Sequence, residues 1–257
     1  MPVFTVKGVD KTFPGSPPVH ALDRIDLSIE EGEFVVLLGP SGCGKSTLLE
    51  ILAGLQAPTG GEASFRGQAI AGPGTPGLGV VFQDPSLMPW RTVEANVGLG
   101  LEIKGTGKDE ARRRVDEHLK LVGLDGFGGK FPHQISGGMK QRAGIARALV
   151  GDPEVLLMDE PFGAVDYITR IKLQEDLVAI WRQSRKTIVF VTHDVGEAVF
   201  LADRIVLLSP RPGRIAEIFE VALPRPRQRG DLELLKQEAR IYAALHALEG
   251  GPAAHAA

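Results

Sequence analysis

Apolar and polar residues change their spacing several times along this chain, and each change marks an element. Phe4 to Val9 alternates loosely, and Glu33-Phe-Val-Val-Leu-Leu38 ends in an unbroken apolar run of the kind found in a sheet covered on both faces. Residues 1–38 therefore read as strands. Gly39 to Gly44 is glycine-rich, and Ser46 to Ala53 then reads as a helix with Gly54 beyond its end. Glu62 to Arg66 is a further strand candidate, residues 71–77 are a Gly/Pro loop, and Gly79 to Phe82 is a short strand. After Gln83 the pattern turns helical. Ala111, Val115, Leu119 and Val122 share one face of a helix over Asp109 to Val122, stopped by Gly123. A second helix is predicted from Gly138 to Val150, ended by Gly151-Asp152-Pro153. Strands resume at Val155 to Met158, Thr187 to Val191 and Ile205 to Leu208, with helical stretches between them. The chain thus reads as an α/β core, 1–83 and 153–223, interrupted by a helical insert at about 84–152. A tail over 224–257 opens Pro/Arg-rich, closes with a helix from Leu232 to Leu248, and ends in a segment, 250–257, expected to fray.

Composition narrows the class. The 257 residues are 43% apolar and 24% charged, as in ordinary globular proteins. A net charge of -3 gives no support to a nucleic-acid partner. The single cysteine, Cys43, rules out an internal disulfide framework and fits a reducing compartment. No signal peptide is legible at the start, and no apolar run approaches the ~18–20 residues that span a bilayer. The expectation is a cytosolic chain that would serve a membrane by docking.

Two motifs bring chemistry to this frame. Gly39-Pro40-Ser41-Gly42-Cys43-Gly44-Lys45-Ser46-Thr47 matches the phosphate loop G-x-x-x-x-G-K-[ST] between a strand and a helix. Its backbone N–H groups can converge on phosphate oxygens, Lys45 can reach the β/γ oxygens, and the Ser46 hydroxyl can ligate Mg²⁺. The loop alone indicates a nucleotide triphosphatase or kinase. Cys43 lies inside it, where its backbone matters more than its thiol. The run Val155-Leu-Leu-Met ends in Asp159-Glu160. Asp159 is placed to hold Mg²⁺, and Glu160, pointing elsewhere, to polarise the attacking water.

Ile135-Ser136-Gly137-Gly138-Met139-Lys-Gln-Arg142 supplies a second anion-binding helix end, with Ser136 as cap and two glycines baring the backbone. One γ-phosphate needs one such cradle per subunit, so the economical reading is a head-to-tail dimer in which this peptide covers ATP held by a partner copy. The peptide resembles the signature of ABC ATPases, and the resemblance covers nearly the whole chain. It implies a P-loop NTPase (RecA-like) core with an antiparallel β subdomain and an inserted α-helical subdomain, ATP and Mg²⁺ as cofactors, and a homodimer or a pairing with a similar ATPase subunit. It further implies that Gln83 ligates Mg²⁺ and senses the γ-phosphate. Asp166, in Gly163-Ala-Val-Asp166, links the two active sites. His193, in Val191-Thr-His-Asp194, contacts the γ-phosphate and holds Glu160 and the water. Phe13 fits best as the adenine-stacking aromatic, a core role being its alternative. Ile135, Met139, Gly163 and Val165 depart from the commoner Leu, Gln, Ser and Leu, and Met139 removes a polar contact to the partner's ATP.

Residues 82–90, 159–170 and 212–214 are similar to importer ATPases for nitrate, aliphatic sulfonates and taurine. That resemblance implies an integral membrane permease as partner, indirectly a solute-binding protein, and a peripheral position at the cytoplasmic face. Leu87, Met88 and Trp90 would then form a groove for a permease helix, or pack the insert onto the core. Competing readings are a soluble ABC protein of DNA maintenance or the ribosome, disfavoured by the short insert and lack of basic excess, and a non-hydrolysing switch, disfavoured by Glu160 and His193.

Overall fold

The computed structural model describes residues 2–163, 165–184 and 186–249. The expected frayed end, 250–257, and Ala164 of the predicted linking loop lie outside the described residues. The chain forms two compact units, one from residues 1–75 and 187–257, the other from 76–186.

The first unit carries an antiparallel sheet with strand order β2-β1-β4-β5, from β1 (Pro2–Phe13), β2 (Val19–Glu30), β4 (Gly60–Phe65) and β5 (Gln68–Ala69). Along β2 the residues Ala21, Leu22, Ile25, Leu27 and Ile29 are buried, and polar residues fall largely between them, so one face packs and the other meets water. β3 (Phe34–Leu38) is buried at all five positions because it lies between β8 (Thr187–Thr192) and β9 (Arg204–Leu208), parallel to both. β10 (Ile215–Glu220) pairs antiparallel with β9. Its pattern is mostly exposed, and Glu217 and Glu220 break its apolar residues into pairs, so no continuous run marks it as a strand. The unit's helices are α1 (Lys45–Leu52), α7 (Val195–Leu201) and α8 (Leu232–Glu249). The described part of the expected tail belongs here, with α8 packed on α7.

In the second unit β6 (Leu78–Val81) pairs parallel with β7 (Val155–Asp159). Around them stand α2 (Val93–Val97), α3 (Leu99–Ile103), α4 (Lys108–Leu121), α5 (Gly137–Leu149) and α6 (Tyr167–Ser184). Val93, Val97, Leu101, Val115, Leu119, Ala143, Ile145 and Leu149 form the apolar interior of the helical part. Asn96 is fully buried there, and its amide donates to the carbonyls of Met88, Arg91 and Thr92 while its oxygen accepts from Met88 N–H. Both N–H donors of that amide and one acceptor position of its oxygen are thereby used to fix the loop over 88–92.

Candidate nucleotide site

β3 delivers the chain to the phosphate loop, and α1 leaves it. Gly44 sits at φ 102, and a Cβ there would stand 2.6 Å from Leu22 Cδ2 and 2.8 Å from the Ala21 carbonyl oxygen, so both backbone angle and space demand glycine. Lys45 is only 5% exposed, and its ammonium donates to the carbonyls of Gly39 at 2.8 Å and Pro40 at 2.9 Å. The lysine therefore lies across the loop it serves. The Cys43 thiol is buried 3.9 Å from Lys45 Nζ; burial pushes its pKa up, against the lowering by Lys45, so it stays a thiol. At the end of β1, Phe13 is half-buried, with Lys11 Nζ 4.9 Å from its ring centroid, and does not belong to the core. His193 is exposed on the turn between β8 and α7. That turn is fixed by Asp194 N–H donating to Thr192 Oγ1 at 3.0 Å and by the Asp194 carboxylate capping Glu197 N–H at 2.9 Å.

The second unit places Asp159, buried, at the last position of β7, and Glu160, half-buried, just beyond. Glu160 has φ 42, a left-handed conformation uncommon for a non-glycine residue and characteristic of functional turns. Ser136 caps α5, its hydroxyl oxygen accepting from Met139 N–H at 3.2 Å. Ser136 and Gly137 are exposed at that helix end. The same helix grips the loop that carries Gln83. Gln141 donates to the Phe82 carbonyl at 3.2 Å, and Arg147 donates to those of Pro85 at 2.6 Å and Ser86 at 3.2 Å. Gln83 itself is exposed. Asp166 accepts from Thr169 N–H at 3.0 Å; that bond and the nearby Arg142 charge hold its carboxyl below the usual range.

The ABC transporter family matches residues 22–163, which include the phosphate loop, Gln83, the signature peptide and the acid pair. An uncharacterized ABC transporter ATP-binding protein of Methanocaldococcus jannaschii is 52% identical over 223 residues, 87% of this chain and 83% of that protein. The taurine import ATP-binding protein TauB of Rhizobium johnstonii is 47% identical over 239 residues, 90% of this chain and 91% of TauB. This chain belongs to the ABC transporter family. A solved dimeric ATP-binding cassette in a post-hydrolysis state, bound to ADP and Pi, matches it with TM-score 0.79 at 35% identity, over 86% of this chain and 100% of that one. As an ABC ATPase it has the expected fold class, a mixed α/β structure with parallel and antiparallel sheets.

Sequence reasoning missed one part of this ABC cassette that bears directly on the phosphate loop. Gly213 follows the β9 strand, and a Cβ there would fall 2.1 Å from the Cys43 carbonyl oxygen. Gly213 N–H donates to Ala21 O at 2.9 Å, and Asp23 N–H donates to Gly213 O at 3.0 Å. The peptide over 212–214 was legible as family-like, but nothing in its spacing reveals that its backbone touches the phosphate loop.

Proposed function

We propose that this ABC ATPase powers an importer of a small anion such as nitrate, an alkanesulfonate or taurine, through a separate membrane permease. The observation that carries the reading is the phosphate loop, with a buried Lys45 spanning carbonyls that a triphosphate would replace as its partners. In this reading the loop residues 39–47 bind the ATP phosphates and Phe13 stacks on the base. Ser46, Gln83 and Asp159 would hold Mg²⁺. A hydroxyl, an amide oxygen and a carboxylate form the hard-oxygen donor set that this ion prefers, and when bound it neutralises charge on the β- and γ-oxygens.

A carboxylate oxygen of Glu160 accepts a hydrogen bond from the attacking water and takes its proton as the bond from the water oxygen to the γ-phosphorus forms and the bond from that phosphorus to the β–γ bridging oxygen breaks, leaving ADP and inorganic phosphate. His193 donates to the γ-phosphate and keeps Glu160 in line. The exposed Ser136 and Gly137, with the half-buried Gly138 and Met139, cover the triphosphate of a partner copy, and Asp166 relays between the two sites, so the working form is a head-to-tail dimer. TauB supports the sulfonate-like end of the solute range, since taurine is an aminosulfonate. Trp90, 73% exposed on the loop fixed by Asn96, supports permease docking at 87–90, with the cassette peripheral to the cytoplasmic face and a solute-binding protein engaged only through the permease. Among the described residues no helix is long and apolar enough to cross a membrane.

The test is Glu160→Gln. It is expected to reduce turnover at least about a hundredfold, as loss of a general base does, while an ATP-bound dimer persists on size exclusion. Parent-rate hydrolysis by that variant would remove Glu160 from its role. Stimulation of the reconstituted transporter's ATPase by taurine, an alkanesulfonate or nitrate then fixes the solute, and stimulation by none of them overturns the anion assignment.

A further inference from the structure

The turn joining β9 to β10, residues 209–214, lies outside every motif that the chemistry above uses, yet it is built rigidly. Ser209 N–H donates to Arg214 O at 2.9 Å, and Arg214 N–H donates to Ser209 Oγ at 3.1 Å. The Arg214 guanidinium pairs with Asp23, its Nε donating to Oδ2 at 2.7 Å. Gly213 is bonded in both directions to β2, at Ala21 O and Asp23 N. From this fixed base Arg211 reaches the phosphate loop. Its Nε donates to the Gly42 carbonyl at 3.1 Å, and its Nη2 stands 3.1 Å from where a Cβ of residue 42 would be. The N–H of the same peptide unit, on Cys43, donates to Pro40 O at 3.4 Å. The peptide joining Gly42 to Cys43 is thus held at both ends, one of them by a cation from 169 residues away in the chain.

We propose that Arg211 is a positioning residue for ATP: it fixes the Gly42–Cys43 peptide of the phosphate loop and brings a positive charge to the loop's rim. A loop of small residues with several glycines has many backbone states to lose on binding a polyanion, and a bond that holds one of its peptides beforehand lowers that cost. The guanidinium attracts a triphosphate as well, and more strongly at low salt. Arg211 touches the loop and not the reacting atoms, so its effect belongs to nucleotide affinity and not to the hydrolytic step. This inference rests on the assignment of residues 39–47 as the ATP phosphate site.

The experiment is a nucleotide titration of the purified full chain with ATP and ADP, with KM and kcat measured in the assembled transporter. Arg211→Ala is expected to raise Kd and KM for ATP by about fivefold to tenfold, the loss of one charge-assisted hydrogen bond at a part-exposed site. kcat should stay within about twofold, and the Tm within about 2 °C, because the guanidinium is exposed and the turn keeps its other bonds. Arg211→Lys, which retains the charge and a donor, should recover most of the affinity, and the gap between Ala and parent should narrow as salt is raised. A brace with only a structural role would lower Tm and leave KM and its salt dependence in place. Lys45→Ala is measured alongside. If Lys45→Ala loses ATP and Arg211→Ala keeps parent affinity, the role of Arg211 is overturned and the phosphate site stands; if Lys45→Ala binds ATP like the parent, both fall.

Discussion

At the scale of single residues, the phosphate loop depends on two glycines for different reasons. Gly44 combines a left-handed φ of 102 with side-chain and backbone atoms under 3 Å from any added Cβ. Gly213 stands outside the motif and is required by approach alone, its absent Cβ coinciding with the Cys43 carbonyl at 2.1 Å. A methyl group there meets backbone on the far side, which cannot rotate away, so the loop or the turn must move. Gly213→Ala is therefore expected to cost about 2 kcal/mol of stability, in the range of overpacking at a rigid contact. It should also weaken ATP binding at least about tenfold, since the displaced atoms belong to the peptide next to Gly44 and Lys45. Chemical denaturation and nucleotide titration check both halves; a variant with parent stability and affinity would mean that the loop yields freely at this point. Cys43 gives a contrasting expectation. Its thiol is buried and its pKa raised mainly by that burial, so thiol reagents at neutral pH should modify native protein at least about tenfold more slowly than unfolded protein, as followed by mass spectrometry.

At the scale of elements, the short helix α7 links the site to the tail. It begins two residues after His193 and has only seven residues, too few to be stable without help at its ends. Asp194 caps its start. Its end is held by the Pro/Arg-rich segment: Arg227, buried, donates to the carbonyls of Val199, Phe200 and Ala202, and also to Val221 and Leu223. Arg225 donates to Leu201 O at 2.6 Å and pairs with Asp203, and Arg229 lies 4.1 Å over the Phe200 ring. These cations satisfy carbonyls that a helix C-terminus leaves open and complement its dipole. Burial lowers the Arg227 pKa to about 10, which still leaves it charged at neutral pH. Arg227→Met should cost about 3 kcal/mol because several buried carbonyls lose their donor, with amide exchange in α7 and the His193 turn accelerated. Arg227→Lys, keeping fewer bonds, should fall between. At the other end of α7, burial and the Asp194 charge raise the Glu238 pKa, with Arg229 opposing. A raised carboxyl contributes stability below its unfolded pKa and loses it as pH rises through the folded value, so Glu238→Gln should raise Tm at pH 7, by about 1 °C at a part-exposed site, and leave it little changed below pH 4. None of this clamp is legible in sequence, where 224–229 reads only as Pro/Arg-rich. The strands β3, β7 and β8 are legible because their burial on both faces is written as continuous apolar runs, and α4 because its buried residues keep one helical face. β10 and the Gly213 approach depend on which strand lies beside which, and the left-handed Glu160 on how the chain leaves β7; a linear pattern carries neither.

At the scale of the whole molecule, the proposed function makes a demand that no single copy can meet. The α5 N-terminus is a helix end capped by the exposed Ser136, with Gly137 exposed beside it, and a second copy's triphosphate would give its first-turn N–H groups an anion to bind. If so, each complete site takes Lys45 from one copy and Ser136 from the other. Two variants, each inactive alone, should then rescue one another. In a Glu160→Gln background that retains ATP, Lys45→Ala removes every phosphate loop from its own dimers, and Ser136→Glu sets a carboxylate against the phosphates at every covering peptide of its own. A mixed dimer has one site with both defects and one with neither. Random pairing makes about half of all dimers mixed, so an equimolar mixture should retain about one quarter of the parent's nucleotide, well above either variant alone. Retained ATP after rapid gel filtration measures it. A site completed within one copy predicts no rescue at any ratio, because each copy then carries its own defect into every pairing. Rescue at that level thus separates a shared site from a self-contained one, and it does so at the exposed Ser136 and at Lys45 of the phosphate loop, both outside the apolar interior of the two units.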